Sequence, residues 1–262
     1  MGLTGKRVFV SGSTQGIGFA VARGCLAEGA RVVVNGRSRH GVERAVARLL
    51  EAVPDGDVEG LAADLADAAQ VASLLAALDA GGGVDVLVNN AGVFDVAPFE
   101  SLDDDAWRRY LEVNLMGGVR LARHLLPAMV ARGWGRVVFV GTESAVDVPG
   151  DMVAYGASKA AALALANGLA KLTRGTEVTV NTVLGGPTWS DGVASAVEAV
   201  AAAQGLDVAD LRAGLVRETS LLGRFIEPGE VADLVVYLAG VRSSATNGAA
   251  LRADGGVLTA TT

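Results

Sequence analysis

The sequence of 262 residues is poor in the residue types that mark several protein classes. Its one cysteine, Cys25, cannot form a disulfide within the chain, and its two histidines, His40 and His124, are too far apart in the sequence to predict a metal centre. Basic residues are not in excess, because 22 Lys and Arg face 29 Asp and Glu. The resulting net charge of −7 argues against a nucleic-acid partner. The most apolar helical stretch, residues 160–166, is far shorter than the ~20 residues that cross a bilayer. We therefore expect a cytoplasmic protein with no membrane segment and no metal.

Glycine, by contrast, is abundant. The chain has 35 glycines and only 6 prolines, and the glycines follow no three-residue period. A collagen-like chain and a proline-rich disordered chain are both excluded. The glycines are expected in tight turns and in loops that approach a ligand closely.

Short runs of β-branched residues alternate with longer amphipathic stretches along almost the whole chain. The predicted strands cover residues 7–10, 31–34, 58–61, 86–88, 136–140, 178–184 and 249–251. The first predicted helices cover residues 16–28, 42–52 and 67–79. Strands that alternate with helices predict an α/β fold, a doubly wound parallel sheet of about seven strands with helices on both faces. We expect one domain over residues 1–262, with an alanine-rich helical insertion at about 188–225.

A glycine-rich turn lies directly between the first predicted strand and the first predicted helix. Glycines at this place let the backbone approach a phosphate, and the N–H groups that begin the helix can bind it. An ordinary glycine-rich turn is the alternative, but the strand–turn–helix context favours a dinucleotide. The predicted cofactor-binding residues of this turn are Gly12, Ser13, Thr14, Gln15, Gly16, Ile17 and Gly18.

The spacing of this turn, G-x-x-x-G-x-G, resembles that of the short-chain dehydrogenase/reductase family in its single-domain form. The family pattern is T-G-x-x-x-G-I-G, and this chain has Ser11 at the position of the threonine. The resemblance covers nearly the whole chain and implies a Rossmann-like fold. It also implies two further cofactor contacts, one at Asp64 and Leu65 beside the adenine and one at Asn90, Ala91 and Gly92 beside the adenine ribose.

The end of the second predicted strand bears on the choice between NADP(H) and NAD(H). An acidic residue there would bind a ribose 2′-hydroxyl and repel a 2′-phosphate. The chain instead has Arg37, Ser38 and Arg39, whose guanidinium and hydroxyl groups suit a phosphate. We therefore expect NADP(H) rather than NAD(H), with Arg37 as the phosphate ligand; a solvated basic loop is the alternative, above all for Arg39.

Tyr155 and Lys159 are four residues apart at the start of a long predicted helix and therefore share one of its faces. A nearby ammonium lowers the pKa of a phenol, so this pair can act as a general acid and base. A surface tyrosine beside a solvated lysine is the alternative. The pair matches the Y-x-x-x-K of the same family, and it follows a strand in a chain that already has a predicted dinucleotide site.

Two further residues are implied as catalytic by the resemblance. The family has a serine thirteen residues before the tyrosine, and here that position is Thr142, which keeps the hydroxyl; Ser144 is the second candidate. Asn114, within an apolar helical stretch, matches the residue that is expected to hold a water beside Lys159. A solvent-facing asparagine is the alternative for Asn114.

The loop after the sixth predicted strand departs from the family, which usually has Pro-Gly where this chain has Gly185 and Gly186. Gly186 and Thr188 are expected to contact the cofactor. The segment that follows should shape the substrate pocket, and its small and apolar side chains suggest a hydrophobic carbonyl compound. These apolar residues could equally be the packing face of the insertion itself.

Taken together, the motifs predict an NADP(H)-dependent oxidoreductase that passes a hydride between nicotinamide and a small carbonyl or secondary-alcohol substrate. The catalytic residues would be Asn114, Thr142, Tyr155 and Lys159. Two alternatives stay open: the same site working as an NAD(P)-dependent alcohol dehydrogenase, and a nucleotide-binding regulatory protein with weakened catalysis. The resemblance also implies a homodimer or homotetramer.

Overall fold

Seven parallel strands form one sheet in a computed structural model that describes residues 1–260; residues 261 and 262, the end of the predicted domain, lie outside the described residues. The strands are β1 (Arg7–Val10), β2 (Arg31–Gly36), β3 (Asp57–Ala62), β4 (Val86–Asn89), β5 (Trp134–Thr142), β6 (Glu177–Gly185) and β7 (Ala250–Ala253). Their spatial order is β3-β2-β1-β4-β5-β6-β7. The predicted doubly wound parallel sheet of about seven strands is confirmed.

Helices cover both faces of the sheet. They are α1 (Gly16–Ala27), α2 (Arg39–Ala52), α3 (Ala68–Ala80), α4 (Asp104–Leu111), α5 (Gly117–Ala131), α6 (Val153–Lys171), α7 (Asp191–Gln204), α8 (Val208–Gly214) and α9 (Pro228–Ala239). Successive residues of a strand point to opposite sides of the sheet. In β1, Val8 and Val10 therefore belong to the core beneath α1, α2 and α9, whereas Phe9 belongs to the core beneath α3, α5 and α6.

The order of the strands places a crevice next to β1. From β1 the chain runs outward through β2 and β3 and then returns to β4 on the other side of β1. Loops that leave the carboxyl ends of β1 and β4 therefore diverge, and ligands of open α/β sheets bind in the crevice between such loops.

The segment between β6 and β7 contains α7, α8 and α9. The first two helices occupy residues 191–214, within the range for which we predicted a helical insertion. Thr188 and Ile226 form an isolated parallel bridge that brings the two ends of this segment together. Over residues 1–260, no helix is both long and apolar enough to cross a membrane.

Candidate active site

A cleft of about 700 Å³ runs along the carboxyl edge of the sheet, from the glycine-rich turn to the start of α6. Most of the residues predicted to bind cofactor or to catalyse line it. They are Gly12, Thr14, Gln15, Gly16, Ile17, Gly18, Arg37, Asp64, Leu65, Asn90, Ala91, Gly92, Thr142, Tyr155, Lys159, Gly186 and Thr188. Ser13 and Asn114 are not among the residues that line this cleft.

The glycine-rich turn is packed so closely that side chains at two of its glycines would not fit. A Cβ at Gly12 would lie 2.8 Å from the Cα of Ala91, and one at Gly18 would lie 2.4 Å from the amide nitrogen of Asn90. The Asn90 amide donates to the carbonyls of Ser11 and Gly12, at 3.0 and 2.9 Å. The turns after β1 and β4 therefore form one rigid unit, and the Ser11 hydroxyl supports it by accepting from the Asn90 backbone N–H at 2.9 Å.

Ser13, which is predicted to bind the cofactor as part of the glycine-rich turn, does not line the cleft. Its hydroxyl is fully buried, donates to the carbonyl of Val10 at 2.7 Å and accepts from the backbone N–H of Asn35 at 3.0 Å. The Asn35 amide in turn donates to the carbonyls of Leu61 and Ala63. These two polar side chains tie β1, β2 and β3 together at their carboxyl ends and have no donor left for a ligand.

The backbone N–H of Gly16, at the start of α1, donates to the carboxylate of Asp191 at 2.9 Å. Asp191 begins α7, so this contact joins the glycine-rich turn to the segment between β6 and β7. Nothing in the sequence indicates this contact, because the two residues are 175 positions apart. The Asp191 carboxylate therefore already accepts from one N–H of the predicted phosphate site.

Arg37 and Ser38 have different roles after β2. Arg37 lines the cleft beside Thr14 and Asp64. The Ser38 hydroxyl instead accepts from the backbone N–H of Gly41 at 3.1 Å and so caps α2. Arg39 is the first residue of α2 and is exposed. Of the basic and hydroxyl side chains considered for a 2′-phosphate, Arg37 is therefore the one placed at the cleft.

Tyr155 and Lys159 lie in the first two turns of α6, as their spacing predicted. Burial lowers the pKa of Lys159 to about 8, and its ammonium donates to the carbonyl of Val140 at 3.1 Å. Burial also raises the pKa of Tyr155 well above its ordinary value; a hydrogen bond with Thr142 opposes this shift, and the charge of Glu143 adds to it. In the protein without cofactor the net shift of the Tyr155 pKa is therefore upward, opposite in direction to the lowering expected from Lys159.

Thr142, the last residue of β5, is followed by a buried acidic residue whose importance the sequence did not reveal. The Thr142 hydroxyl donates to one carboxylate oxygen of Glu143 at 2.5 Å, and the Ser144 hydroxyl donates to the other at 3.1 Å. Glu143 is only 5% exposed and lines the cleft. A hydroxyl has a single hydrogen, so both candidate hydroxyls present lone pairs rather than hydrogens to any other partner.

Asn114 is buried in a single π-helical turn, Glu112–Met116, between α4 and α5. Its amide accepts from the Val93 backbone N–H at 2.8 Å and donates to the Val93 carbonyl at 3.0 Å and to the Ser158 hydroxyl at 2.9 Å. The solvent-facing alternative for Asn114 is thereby excluded. Isolated π-helical turns are frequent at functional sites, because they change the direction of one side chain.

A second, much smaller cavity of about 20 Å³ lies behind Lys159. Asn89, Asn114 and Thr182 are among its lining residues. Within residues 1–260, the Asn89 amide and the Thr182 hydroxyl have no hydrogen-bond partner. A cavity of this size with several polar groups can hold one water molecule.

Gly185 ends β6 and Gly186 follows it, and only the second of these two positions requires a glycine. A Cβ at Gly186 would lie 2.5 Å from the carbonyl oxygen of Asp254, whereas a Cβ at Gly185 would meet nothing closer than Val231 at 3.6 Å. The Asp254 carboxylate is itself fixed by the backbone N–H groups of Gly256 and Leu258. The residues after β7 therefore support the floor of the cleft, a role that the sequence did not indicate.

Comparison with known proteins assigns the chain to a family. The sequence pattern of the family described as short chain dehydrogenase matches residues 6–201. The chain is 41% identical over 256 residues to a Bacillus subtilis protein named uncharacterized oxidoreductase YvrD, with 97% of this chain and 96% of that protein covered. It is 32% identical to D-beta-hydroxybutyrate dehydrogenase of Cupriavidus necator, with 97% and 98% covered.

Its fold matches that of L-sorbose reductase from Gluconobacter frateurii, which was crystallised with NADPH and L-sorbose. The TM-score is 0.94 at 30% identity, and the match covers 99% of this chain and 98% of that one. The resemblance that the motifs carry is confirmed. The chain belongs to the short-chain dehydrogenase/reductase family and is an oxidoreductase.

Proposed function

We propose that this protein is an NADP(H)-dependent oxidoreductase that transfers a hydride between nicotinamide and a carbonyl or secondary-alcohol substrate. One observation carries the proposal: a single cleft contains both the glycine-rich turn and Tyr155. A phosphate-binding turn and a proton donor therefore open into the same space.

The residues of the cleft fit a nicotinamide dinucleotide. The closely packed turn at Gly12 and Gly18 brings the start of α1 to the cleft, and the N–H groups there, apart from that of Gly16, which donates to Asp191, suit a diphosphate. A Cβ at Gly92 would lie 3.2 Å from the ammonium of Lys159, so this glycine leaves room directly beside the lysine. When bound, the nicotinamide supplies or accepts the hydride, and the protein supplies position and protons.

Tyr155 is the proton donor in the proposed reduction. Its raised pKa keeps the phenol protonated at neutral pH, so that it can give a proton to the oxygen that becomes an alkoxide. The pKa of Lys159, about 8, is close to neutral pH, so the lysine can return a proton to the phenol. The small cavity behind Lys159, with Asn89, Asn114 and Thr182 in its wall, would hold the water that connects the lysine to solvent.

The preference for NADP(H) rests on Arg37. This side chain lines the cleft where β2 ends, and Gly36 before it carries no acidic group that would repel a phosphate. Arginine binds phosphate through two parallel N–H donors, which makes it a suitable ligand for a 2′-phosphate.

Alcohol oxidation is the second candidate, and the Thr142 contact favours it. With its hydrogen donated to Glu143, the Thr142 hydroxyl can accept from the O–H of an alcohol. To donate to a carbonyl oxygen, it must first give up its bond to Glu143.

The test is Tyr155→Phe, which keeps the ring and removes the exchangeable proton. We expect NADPH binding, measured by fluorescence titration, to be retained, because the substitution leaves the glycine-rich turn intact. Reduction of a panel of ketones and aldehydes should fall at least ~100-fold, the usual scale for loss of a general acid. Equal turnover by the variant would refute the role of Tyr155, and a wild-type protein that reduces no carbonyl compound would favour the regulatory alternative.

A further inference from the structure

Glu143 is an unusual residue for its position. It directly follows Thr142 at the carboxyl end of β5, is 5% exposed, and lines the cleft in which the substrate must react. A carboxylate is costly to bury unless hydrogen bonds replace the water it loses. Its partners should therefore reveal what the site is built to bind.

The protein leaves part of the hydrogen-bonding capacity of Glu143 unused. Each carboxylate oxygen accepts one hydrogen bond, from Thr142 or from Ser144. An ionised carboxylate can accept about four hydrogen bonds in total. The group therefore retains acceptor capacity within the cleft.

Arg217 approaches the same carboxylate from the segment between α8 and α9. One of its terminal nitrogens lies 3.9 Å from Oε1 of Glu143, and its side chain is 37% exposed. A charge-assisted hydrogen bond is about 2.7–2.9 Å long, so the two groups attract each other without direct hydrogen bonding. A hydroxyl oxygen about 2.8 Å from both atoms could donate to Glu143 and accept from Arg217.

We propose that Glu143 and Arg217 form a subsite that selects substrates with a hydroxyl group on the carbon next to the reacting carbon. The inference rests on the proposed function, which places the reacting oxygen at Thr142 and Tyr155. Because the Glu143 carboxylate accepts a hydrogen bond from the Thr142 hydroxyl and also lines the cleft, it would lie beside the atoms attached to that carbon.

The preference for a hydroxyl applies only beside Glu143, because other parts of the cleft wall are apolar. Leu215 and Phe225 also line the cleft, and Phe94 packs edge-on against Tyr155 at 6.2 Å between ring centres. An apolar substituent would be accepted there. The same substituent beside Glu143 would exclude water from a carboxylate without replacing its hydrogen bonds. The subsite therefore favours α-hydroxy ketones and vicinal diols over the simple hydrophobic carbonyl compounds suggested by the sequence.

The test compares two ketones of nearly equal size, hydroxyacetone and 2-butanone, which differ by a hydroxyl in place of a methyl group. We expect the ratio of their kcat/KM values with NADPH to fall about 10- to 100-fold in Glu143→Leu, the range for loss of a hydrogen bond to a charged group. Arg217→Met should lower the ratio in the same direction. Glu218→Gln, which changes an exposed neighbour of Arg217, should leave the ratio unchanged. NADPH titration of each variant shows whether it is folded. Glu143→Gln keeps the shape of the side chain and removes only its charge, so it separates loss of the charge from a disturbance of packing.

A binding measurement separates this proposal from the proposed function. Saturation-transfer NMR with reduced cofactor, which cannot accept a hydride from an alcohol, reads the binding of 1,2-propanediol against 2-butanol without any turnover. Loss of the diol preference in Glu143→Leu supports the subsite, even if neither ketone is reduced. A failure to reduce either ketone would contradict only the proposed reaction. The subsite is overturned if wild type and Glu143→Leu have the same ratio of kcat/KM values and the same binding preference. That result would leave the proposed reaction intact.

Discussion

The buried charge of Lys159 makes a prediction about stability that does not depend on any substrate. Burial lowers the pKa of Lys159 from 10.5 to about 8. One pKa unit corresponds to about 1.4 kcal/mol, so the folded protein at pH 7 loses about 3 kcal/mol of stability by keeping this side chain charged. Lys159→Met removes the charge and also the hydrogen bond to Val140, which is worth about 1 kcal/mol. The variant should therefore be more stable by about 2 kcal/mol, and inactive.

The pH dependence of this gain has a definite sign. Between pH 8 and 10.5 the unfolded chain binds more protons at Lys159 than the folded protein does, so wild-type stability rises with pH across this window. The advantage of Lys159→Met should be complete at pH 7. At pH 10.5 it should be lost, because the charge then costs less than the hydrogen bond to Val140 contributes. Urea unfolding of the protein without cofactor, followed by circular dichroism at the two pH values, measures it. Lys171→Met, at the exposed end of the same helix, is the matched control and should change stability by no more than ~0.5 kcal/mol. A Lys159→Met protein less stable than wild type at pH 7 would refute the reasoning.

Three further predictions concern the cofactor site and the loop after β6. Gly186→Ala should lower the free energy of unfolding by about 1–3 kcal/mol, because its Cβ would overlap a backbone carbonyl, whereas Gly185→Ala has room and should be nearly neutral; equal urea midpoints would contradict this difference. Arg37→Ala should weaken NADPH binding about 10- to 100-fold and NADH binding much less, and Arg39→Ala serves as the control; parallel losses for both cofactors would argue against a 2′-phosphate contact. Asp191→Asn should tighten NADPH binding about fivefold at low salt, since it removes a negative charge from the N–H groups that would bind the diphosphate. Fluorescence titration that finds no gain would show that this carboxylate does not compete with the cofactor.

The sequence predicted the sheet well because each buried parallel strand is a short run of β-branched residues bounded by glycine or polar residues. The predicted strand at 136–140 extends further at both ends in the structure, to Trp134 and Thr142, because the flanking glycines, Gly135 and Gly141, are typical of turns and hide the limits of the strand. The helices α5 and α9 were not predicted. Pro127 lies within α5, and a proline argues against a helix although tertiary packing can override it.

The candidate site was predictable wherever its residues follow a local spacing. The positions of Tyr155 and Lys159 on one helix, and of the glycines in one turn, can be inferred from the sequence. The contacts of Glu143 with Arg217 and of Asp191 with Gly16 could not be predicted, because they join residues that are distant in the chain. A charged residue is also expected at the surface, so nothing in the sequence marks Glu143 as buried.

The π-helical turn that holds Asn114 restricts how this part of the chain can change in length. One residue corresponds to a rotation of about 100° around a helix axis. Deleting a single residue between α4 and α5 would restore a regular helix, but it would turn Asn114 away from Val93 or else turn the buried face of α5 away from the sheet. Homologous proteins that use this asparagine should therefore align here without gaps, even where the surrounding loops vary freely in length.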